Sequence, residues 1–221
     1  MAGRIIKIKP EELENSSFSA VLERLRTGES DIDGMLFTDA PPEGADFSGI
    51  DFSRCYFRGC RFAGALLEQC SFVDAVFEAC DFSGAALHES FWQRCTLSGC
   101  RMTGVRLNNA RLRQVTLKDC TARYAGLDQA VLNRVTFTGC DFQEASLRGC
   151  KLKEITAAEC NFLLINFYQT PLAGVDFTTS EIGGWTLSES AEELRGAVVT
   201  PQQAVELAER LGLVVRDTQG Q

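Results

Sequence analysis

The chain has 221 residues, of which 45% are apolar, enough for one sizeable folded domain with small additions at its ends. Its five prolines and the lack of a low-complexity tract exclude long disordered stretches. The formal net charge of -8 disfavours nonspecific binding to nucleic acid or to anionic membranes, and it suits a partner with a basic surface.

Residues 1–30 are predicted to form an N-terminal capping segment. A short strand is indicated by three isoleucines: Ile5, Ile6 and Ile8. Helical spacing is then followed by four apolar residues: Phe18, Val21, Leu22 and Leu25. We therefore expect a capping helix near Ser17 to Arg26 that stops at Gly28.

The first ten residues lack an apolar core long enough for a signal peptide, and no apolar run approaches the length needed to span a bilayer. We therefore expect a cytoplasmic protein with no membrane partner. In that reducing compartment its cysteines would stay free.

A five-residue repeat dominates the chain from residue 32 to residue 187. Every fifth residue is large and apolar with few exceptions, as in Phe47, Phe52, Phe57, Phe62 and Leu67. Thirteen of the fifteen phenylalanines occupy this register. Two residues earlier lies a second, mostly small apolar set that includes all ten cysteines: Cys55, Cys60, Cys70, Cys80, Cys95, Cys100, Cys120, Cys140, Cys150 and Cys160. The other three positions are mostly polar, charged or glycine, so two residues in five are predicted to face inward.

A period of five fits neither an α-helix, which repeats about every 3.6 residues, nor a strand, which repeats about every 2. Five residues with two facing inward can form one side of a square coil. Four such sides make a turn of about twenty residues, and successive turns stack at about 4.8 Å. Because contacts then join only neighbouring turns, the stability should be roughly a sum of local contributions.

The repeat resembles the pentapeptide-repeat family, whose motif is a small residue, a polar residue, Leu or Phe, and two more polar residues. Three segments fit it closely: Ala45-Asp46-Phe47-Ser48-Gly49, Cys80-Asp81-Phe82-Ser83-Gly84 and Cys140-Asp141-Phe142-Gln143-Glu144. The resemblance implies an all-β solenoid, a right-handed quadrilateral β-helix over residues 31–190, with a short N-terminal cap and a C-terminal helix.

No catalytic, cofactor or metal site is predicted, and the chain is not expected to be an enzyme. A spacing of twenty residues puts six cysteines in one column: Cys60, Cys80, Cys100, Cys120, Cys140 and Cys160. Parallel side chains in a column do not converge as zinc ligands do, so buried, free thiols are the favoured interpretation. His88, the single histidine, is predicted to face outward, and Glu192 and Glu193 are predicted to lie at an exposed turn or helix end.

Residues 191–221 are predicted to form a C-terminal helix and a dimerisation tail. Thr200-Pro201-Gln202-Gln203 is a capping box with proline at the first helical position, and Gly212 should end the helix. The segments 194–204 and 213–215 resemble the ending of the quinolone-resistance branch of the family. That resemblance implies a head-to-head homodimer with an interface drawn from six residues: Val198, Val199, Leu207, Leu211, Leu213 and Val215.

Several apolar residues near the end of the repeat break the pattern. Leu163, Leu164 and Tyr168 should point outward, and Trp185 takes a position that prefers small residues. Two interpretations stay open: coverage by the C-terminal cap, or a contact within a dimer.

Charge is distributed unevenly. Residues 31–89 carry eleven acids against three bases, residues 90–135 carry eight bases against two acids, and residues 136–217 carry twelve acids against six bases. The side of the coil built on Phe52, Trp92 and Leu112 is slightly basic, and the other three sides are acidic. The basic belt from Arg94 to Arg134 would either contact DNA held by a partner or be a solvated surface.

The resemblance to the quinolone-resistance branch implies a function. It predicts a non-enzymatic, DNA-mimicking protein that binds a type II DNA topoisomerase (DNA gyrase) and protects it from quinolones or another poison, without binding nucleic acid itself. The predicted partner-binding acidic surface comprises Asp46, Glu68, Asp74, Glu78, Asp81 and Glu89. The alternative is a generic interaction scaffold for an unrelated protein partner.

Overall fold

The computed structural model of the protein describes residues 8–216, which form a parallel β-solenoid of about eight turns with a short C-terminal helix. The predicted solenoid is confirmed. One sheet has eight strands, in the spatial order β1 (Glu14–Ser16), β3 (Met35–Phe37), β5 (Tyr56–Arg58), β7 (Val76–Glu78), β9 (Thr96–Ser98), β11 (Thr116–Lys118), β13 (Thr136–Thr138) and β15 (Thr156–Ala158). A second has seven, in the order β2 (Asp31–Asp33), β4 (Asp51–Ser53), β6 (Ser71–Val73), β8 (Phe91–Gln93), β10 (Arg111–Arg113), β12 (Val131–Asn133) and β14 (Lys151–Lys153). The strands β16 (Asn161–Leu163) and β17 (Glu181–Gly183) form a third.

Neighbouring turns are in register at intervals of twenty residues, which gives the coil four sides. Side 1 is the seven-stranded sheet, where Phe52 is paired with Phe72. Side 2 is the eight-stranded sheet. Side 3 follows side 2 along the chain and is held by isolated bridges such as Asp81 to Arg101 and by the β16–β17 pair. Side 4 completes the turn, with bridges such as Arg106 to Gly126.

The interior is a set of stacked columns. The rings of Phe57 and Phe77 lie 4.6 Å apart and 4° from parallel, and those of Phe52 and Phe72 lie 5.3 Å apart at the same angle. Each of these side chains is at most 1% exposed. Full burial of one such side chain contributes roughly 1.5–3 kcal/mol, so the inward register supplies the main driving force for the coil.

Each corner of the coil needs one residue in the left-handed region of the backbone, two positions after the large apolar one. Gly59 meets this need with φ of 62°, and Ala79, one turn later at the same corner, adopts φ of 51°. A side chain is disfavoured in this conformation, whereas glycine adopts it readily. The repeat is therefore locally strained wherever a corner lacks glycine.

The N-terminal cap is a helix, α1 (Phe18–Arg26), whose N-cap is the side chain of Ser17. This confirms the predicted helix. Phe18 is fully buried and stacks on Phe37 at 4.9 Å, so the helix covers the open end of the core. Of the residues predicted to form a short strand, Ile8 lies in no strand, and Ile5 and Ile6 lie outside the described residues. Among the described residues, the first strand is β1, which pairs in parallel with β3.

The C-terminal cap is a second helix, α2 (Pro201–Arg210), and its predicted capping box is confirmed. The side-chain amide of Gln203 donates hydrogen bonds to the carbonyl oxygens of Phe177 at 3.0 Å and Ser180 at 2.8 Å. These bonds attach the start of α2 to the last turns of the solenoid, whose carbonyl groups have no following turn to bond.

The prediction that Glu192 and Glu193 are both exposed is wrong for Glu193. Glu192 is exposed as expected, but Glu193 is 5% exposed. Its carboxylate accepts hydrogen bonds from the amide of Gln169 at 2.8 Å and from the hydroxyl of Ser188 at 2.8 Å. The carboxylate therefore replaces the backbone partners that the next turn would have supplied.

Candidate interaction surfaces

The six carboxylates predicted to bind a partner do not form one surface. Asp74 lies on side 1, Glu78 on side 2 and Asp81 on side 3. The other three, Asp46, Glu68 and Glu89, share side 4. A step of five residues moves the chain by one side, so the six carboxylates are spread over all four sides, and their role in binding a partner stays a prediction.

Three of these carboxylates are held in ion pairs across neighbouring turns. Asp74 lies 2.5 Å from Arg94, Glu78 lies 3.0 Å from Arg58, and Asp81 lies 3.2 Å from Arg101.

Glu78 also accepts a hydrogen bond from the hydroxyl of Tyr56 at 2.9 Å. The Tyr56 hydroxyl and the Arg58 guanidinium hold the pKa of Glu78 below its ordinary value. These contacts compensate the charges of the paired carboxylates and leave them little to offer a partner.

The remaining three carboxylates form what we call the side 4 acidic row: Asp46, Glu68 and Glu89. All three are exposed, and none makes an ion pair with another described residue. Leu66, 41% exposed, lies on the same side between Asp46 and Ala86 in the bridge ladder. The row therefore combines free negative charge with an apolar contact point.

The basic belt is likewise spread over all four sides. Four of its members are paired with acids: Arg94, Arg101, Arg123 and Arg134. The other four make no ion pair within residues 8–216: Arg106, Arg111, Arg113 and Lys118. Arg111 and Arg113 lie together on β10, so the unpaired charge is concentrated on side 1.

The predicted dimer residues fall into two groups. Leu207 is 9% exposed and Val199 is partly buried, and both pack against the core of their own chain. The other four are exposed: Val198 (44%), Leu211 (51%), Leu213 (61%) and Val215 (41%).

Sequence reasoning missed two further exposed apolar residues, Val205 (41%) and Val214 (82%). A helical stripe identifies apolar positions, but only the docking of α2 decides which of them stay outside.

The apolar residues that break the pattern near the end of the repeat also include both buried and exposed side chains. Trp185 is 5% exposed, and its indole donates a hydrogen bond to the carbonyl oxygen of Phe162. Leu163 and Tyr168 are half-buried, and α2 packs on β17 beside the strand that contains Leu163. Leu164 stays 51% exposed. Trp185 is thus a core residue, whereas Leu164 remains available for contact.

The cysteines are all buried and free. Nine of the ten direct the sulfur at the backbone carbonyl oxygen twenty-three residues earlier, at 3.0–3.6 Å; an example is Cys150 to Leu127 at 3.0 Å. Burial raises the pKa of Cys70 and Cys95 to about 12. Their reactivity is low because the thiolate is disfavoured.

The predicted surface position of His88 holds in part, since its side chain is half-buried. In the part of the chain that the structure describes, histidine, cysteine and carboxylate side chains form no group of three that could hold a metal ion. Among the same residues, no helix is both long enough and apolar enough to cross a membrane.

These features define a four-sided β-solenoid of five-residue repeats, with buried thiols, capped ends and charged outer sides. Family models agree: one for a pentapeptide repeat region matches residues 70–137, and one for nine copies of the pentapeptide repeat matches residues 43–86. Together the two models match residues 43–137, so this part of the chain is a pentapeptide-repeat region.

Solved structures of pentapeptide-repeat proteins are similar over most of the chain. A trypsin-treated form of QnrB1, a plasmid-mediated fluoroquinolone resistance protein, has 19% identity and a TM-score of 0.39, covering 84% of this chain and 100% of QnrB1. HetL, involved in the regulation of heterocyst differentiation in the cyanobacterium Nostoc sp. strain PCC 7120, has 16% identity and a TM-score of 0.35, covering 83% and 97%. Rfr23 from the cyanobacterium Cyanothece 51142 has 14% identity and a TM-score of 0.20, covering 82% and 99%. The search of curated proteins gives no match.

Proposed function

We propose that the protein is a cytoplasmic, non-enzymatic DNA mimic that binds a type II DNA topoisomerase such as DNA gyrase and protects it from a quinolone or another poison. The observation that carries this proposal is the side 4 acidic row on the outside of the solenoid. Its exposed carboxylates would occupy a basic surface that otherwise receives DNA.

The spacing of the row limits the proposed mimicry of DNA to a local match. Successive carboxylates rise by about 4.8 Å per turn of the coil. Phosphates of one DNA strand rise by about 3.4 Å, and a duplex carries one charge per about 1.7 Å. The row therefore has a lower charge density than a duplex. In the proposed complex, electrostatics would steer the encounter and the shape of the rod would supply most of the contact.

In this proposal the protein acts as a head-to-head homodimer joined through the C-terminal cap. We define the C-terminal apolar patch by six exposed residues: Val198, Val205, Leu211, Leu213, Val214 and Val215. A group of exposed apolar residues in one segment is the kind of feature that marks interaction sites. Pairing of two caps would double the length of the rod and shield both patches from water.

The dimer is tested by changing only exposed members of the patch. Leu211→Glu combined with Leu213→Glu should give monomers by light scattering, with an unchanged circular dichroism spectrum. Leu207 is unsuitable for this purpose, because it packs against its own solenoid and a charge there would disrupt the cap. A variant that keeps the dimeric mass would disprove this interface.

Protection of the enzyme is tested by measuring quinolone-stabilised DNA cleavage by gyrase with and without micromolar protein. Protein should reduce cleavage, and the triple variant Asp46→Asn, Glu68→Gln and Glu89→Gln should lose at least tenfold in potency. A matched control removes three exposed carboxylates from other sides: Glu144→Gln, Glu159→Gln and Glu181→Gln. It should behave as the unmodified protein. Absence of protection, or equal loss in both variants, would contradict the proposal.

A second candidate is an interaction scaffold for an unrelated protein partner. The distribution of charge favours it, because side 1 carries both signs and departs from the uniformly negative surface of DNA. Affinity capture from cells with the unmodified protein and the acidic-row variant separates the two functions. Recovery of a different protein that depends on the row, with no topoisomerase subunit, would support the scaffold.

A further inference from the structure

Side 1 carries opposite charges at its two ends. We call its first three strands, β2, β4 and β6 with their corners, the acidic half. This half bears four acids, Asp31, Asp33, Asp51 and Asp74, and one base, Arg54. From β8 to β14 the side bears six bases and one acid, which we call the basic half: Arg94, Arg111, Arg113, Arg134, Lys151, Lys153 and Glu154. The change of sign falls at the central strand, β8.

Internal pairing leaves much of this charge uncompensated. Arg54 pairs with Asp33, Arg94 with Asp74 at 2.5 Å, and Arg134 with Glu154 at 2.7 Å. The remaining charges are exposed and make no ion pair with any residue of 8–216: Asp31, Asp51, Arg111, Arg113, Lys151 and Lys153. Two unpaired acids thus lie before β8, and four unpaired bases lie after it.

The order of the strands makes this side complementary to itself. The order is β14-β12-β10-β8-β6-β4-β2, so β2 and β14 each lie three strands from β8. Consider a second copy related to the first by a two-fold axis that runs parallel to β8 between the two facing sides. The strands of the two copies then run in the same direction, and their solenoid axes run in opposite directions. Asp31 would then lie opposite Lys151, and Asp33 opposite Lys153.

The other strands are compatible with this arrangement. Asp51 would face Val131, which is 37% exposed, and β6 with the Asp74 corner would face β10. At the centre, the half-buried Phe91 would meet its symmetry mate, and so would Arg94, which is already paired with Asp74 of its own chain. The arginines Arg54 and Arg134 would come opposite each other, but each is already paired with a carboxylate of its own chain.

An extended polyanion fits this side less well. Three strand spacings separate the start of the basic half from its end, which is roughly 14 Å. A nucleic acid longer than this, laid along the side, would meet the acidic half. The chain also has a net charge of -8. A second copy brings Lys151 and Lys153 opposite Asp31 and Asp33, whereas a polyanion is attracted by one half and repelled by the other.

We propose that side 1 binds side 1 of a second copy with the two solenoid axes antiparallel. Ion pairs join the strand β2 of one copy to the strand β14 of the other. The contact is isologous, as expected for a two-fold pair. Seven short strands offer on the order of 500 Å² per partner, below the roughly 800 Å² of a standard stable interface. The association is therefore weak, reversible and sensitive to salt, and it is separate from the C-terminal dimer.

The test uses two charge reversals in a chain that also carries Leu211→Glu and Leu213→Glu, so that the C-terminal patch does not contribute. The first, Asp31→Lys with Asp33→Lys, makes side 1 basic at both ends. The second, Lys151→Asp with Lys153→Asp, makes it acidic at both ends. A control with two reversals on other sides, Glu144→Lys and Glu159→Lys, matches the charge change of the first.

Sedimentation velocity measures association at ionic strengths of about 0.01 M and 1 M, where the Debye length is about 30 Å and 3 Å. We expect the parent chain and the control to associate at low salt only, and each reversal alone to weaken association at least tenfold. An equimolar mixture of the two charge-reversal variants should recover the association, because the basic ends of one variant then face the acidic ends of the other.

Three outcomes would overturn the proposal. The first is a parent chain that stays monomeric at low salt, and the second is association that the reversals leave unchanged. The third is a mixture that does not recover association. If instead the parent binds a short DNA duplex and Lys151→Asp with Lys153→Asp abolishes that binding without any self-association, the basic half binds a polyanion and the proposed pairing is wrong.

Discussion

The indole nitrogen of Trp185 donates a hydrogen bond of 2.7 Å to the carbonyl oxygen of Phe162. The two residues are separated by twenty-three positions, the same separation at which nine cysteine thiols approach a carbonyl oxygen of the preceding turn. Thr170 does the same with its hydroxyl, which donates to the carbonyl of Leu147. Where the inward residue of this register carries a donor, the donor can therefore bond a carbonyl oxygen of the preceding turn, whereas Ala75 and Val105 fill the same position by burial alone.

Trp185→Phe should destabilise the protein by about 1–3 kcal/mol, because it leaves the buried carbonyl of Phe162 without its donor while keeping an aromatic ring in place. The midpoint of urea unfolding, followed by circular dichroism, measures the change. An unaltered midpoint would show that the bond contributes nothing to the stability of the last turns.

Ala79→Gly should stabilise the protein by about 1 kcal/mol, since the corner requires positive φ and glycine adopts it without the steric cost of a Cβ atom. Gly59→Ala, at the same corner one turn earlier, should destabilise it by a similar amount. No atom lies within 4 Å of a Cβ added at Gly59, so the cost there is conformational. Changes of the same sign in both variants, measured by urea unfolding, would contradict this explanation.

Ala122→Leu should stabilise the protein by about 1–2 kcal/mol. The core contains an apolar cavity of about 20 Å³ lined by Ala122 together with Trp92, Met102 and Phe142. Ala122 occupies a register position where the repeat otherwise places a large side chain, and leucine would fill the space.

Ala110→Leu is the matched control for this substitution. Ala110 is fully buried in the small inward register and does not line the cavity. Overpacking should therefore destabilise this variant by about 1–3 kcal/mol. If thermal unfolding shows both leucines to be destabilising, the cavity is not available to a larger side chain.

Glu193→Gln should destabilise the C-terminal cap by about 1–3 kcal/mol at neutral pH, because it removes a buried anion that accepts three hydrogen bonds. Burial raises the pKa of Glu193, but the amide of Gln169 and the amide and hydroxyl of Ser188 outweigh it and hold the pKa below its ordinary value. A lowered pKa in the folded state means that the ionised group stabilises the fold above the pKa of the unfolded chain, about 4.3.

This stabilisation is lost as the pH falls through the lowered pKa. The difference in unfolding free energy between the unmodified protein and Glu193→Gln should therefore shrink below about pH 4.3. Glu192→Gln, at the exposed neighbouring position, serves as the control and should change stability little at any pH. A difference that does not depend on pH would show that the charge of Glu193 is unimportant.

Much of the fold follows from local pattern. The registers of Phe72 and Cys100 predict burial, and the capping box at Thr200 predicts the start of α2; the structure confirms all three. The failures are elsewhere. Ile8 lies outside the strand predicted for it, and Glu193 is buried rather than exposed. Both predictions failed because these residues lie in the end segments, where the repeat no longer constrains the chain.

The candidate surfaces were less predictable than the core. Asp74 and Glu89 look equivalent in the sequence, since both are acids at corner positions of the repeat. In the structure Asp74 is paired with Arg94, whereas Glu89 accepts a bond from the neutral Gln69. A side chain's partner lies one full turn away, so the local pattern of five residues does not describe it.

The inward-facing residues can be predicted from the amino-acid pattern alone, because burial in this coil depends on a backbone repeat that returns every five residues. The amino-acid sequence also predicts that the ends need caps, and where the helical caps begin. The pairing of charges and the exposure of the apolar residues of α2 became known from the three-dimensional arrangement. Those outcomes depend on contacts between turns and on the docking of a single, non-repeating helix, for which no periodic signal exists.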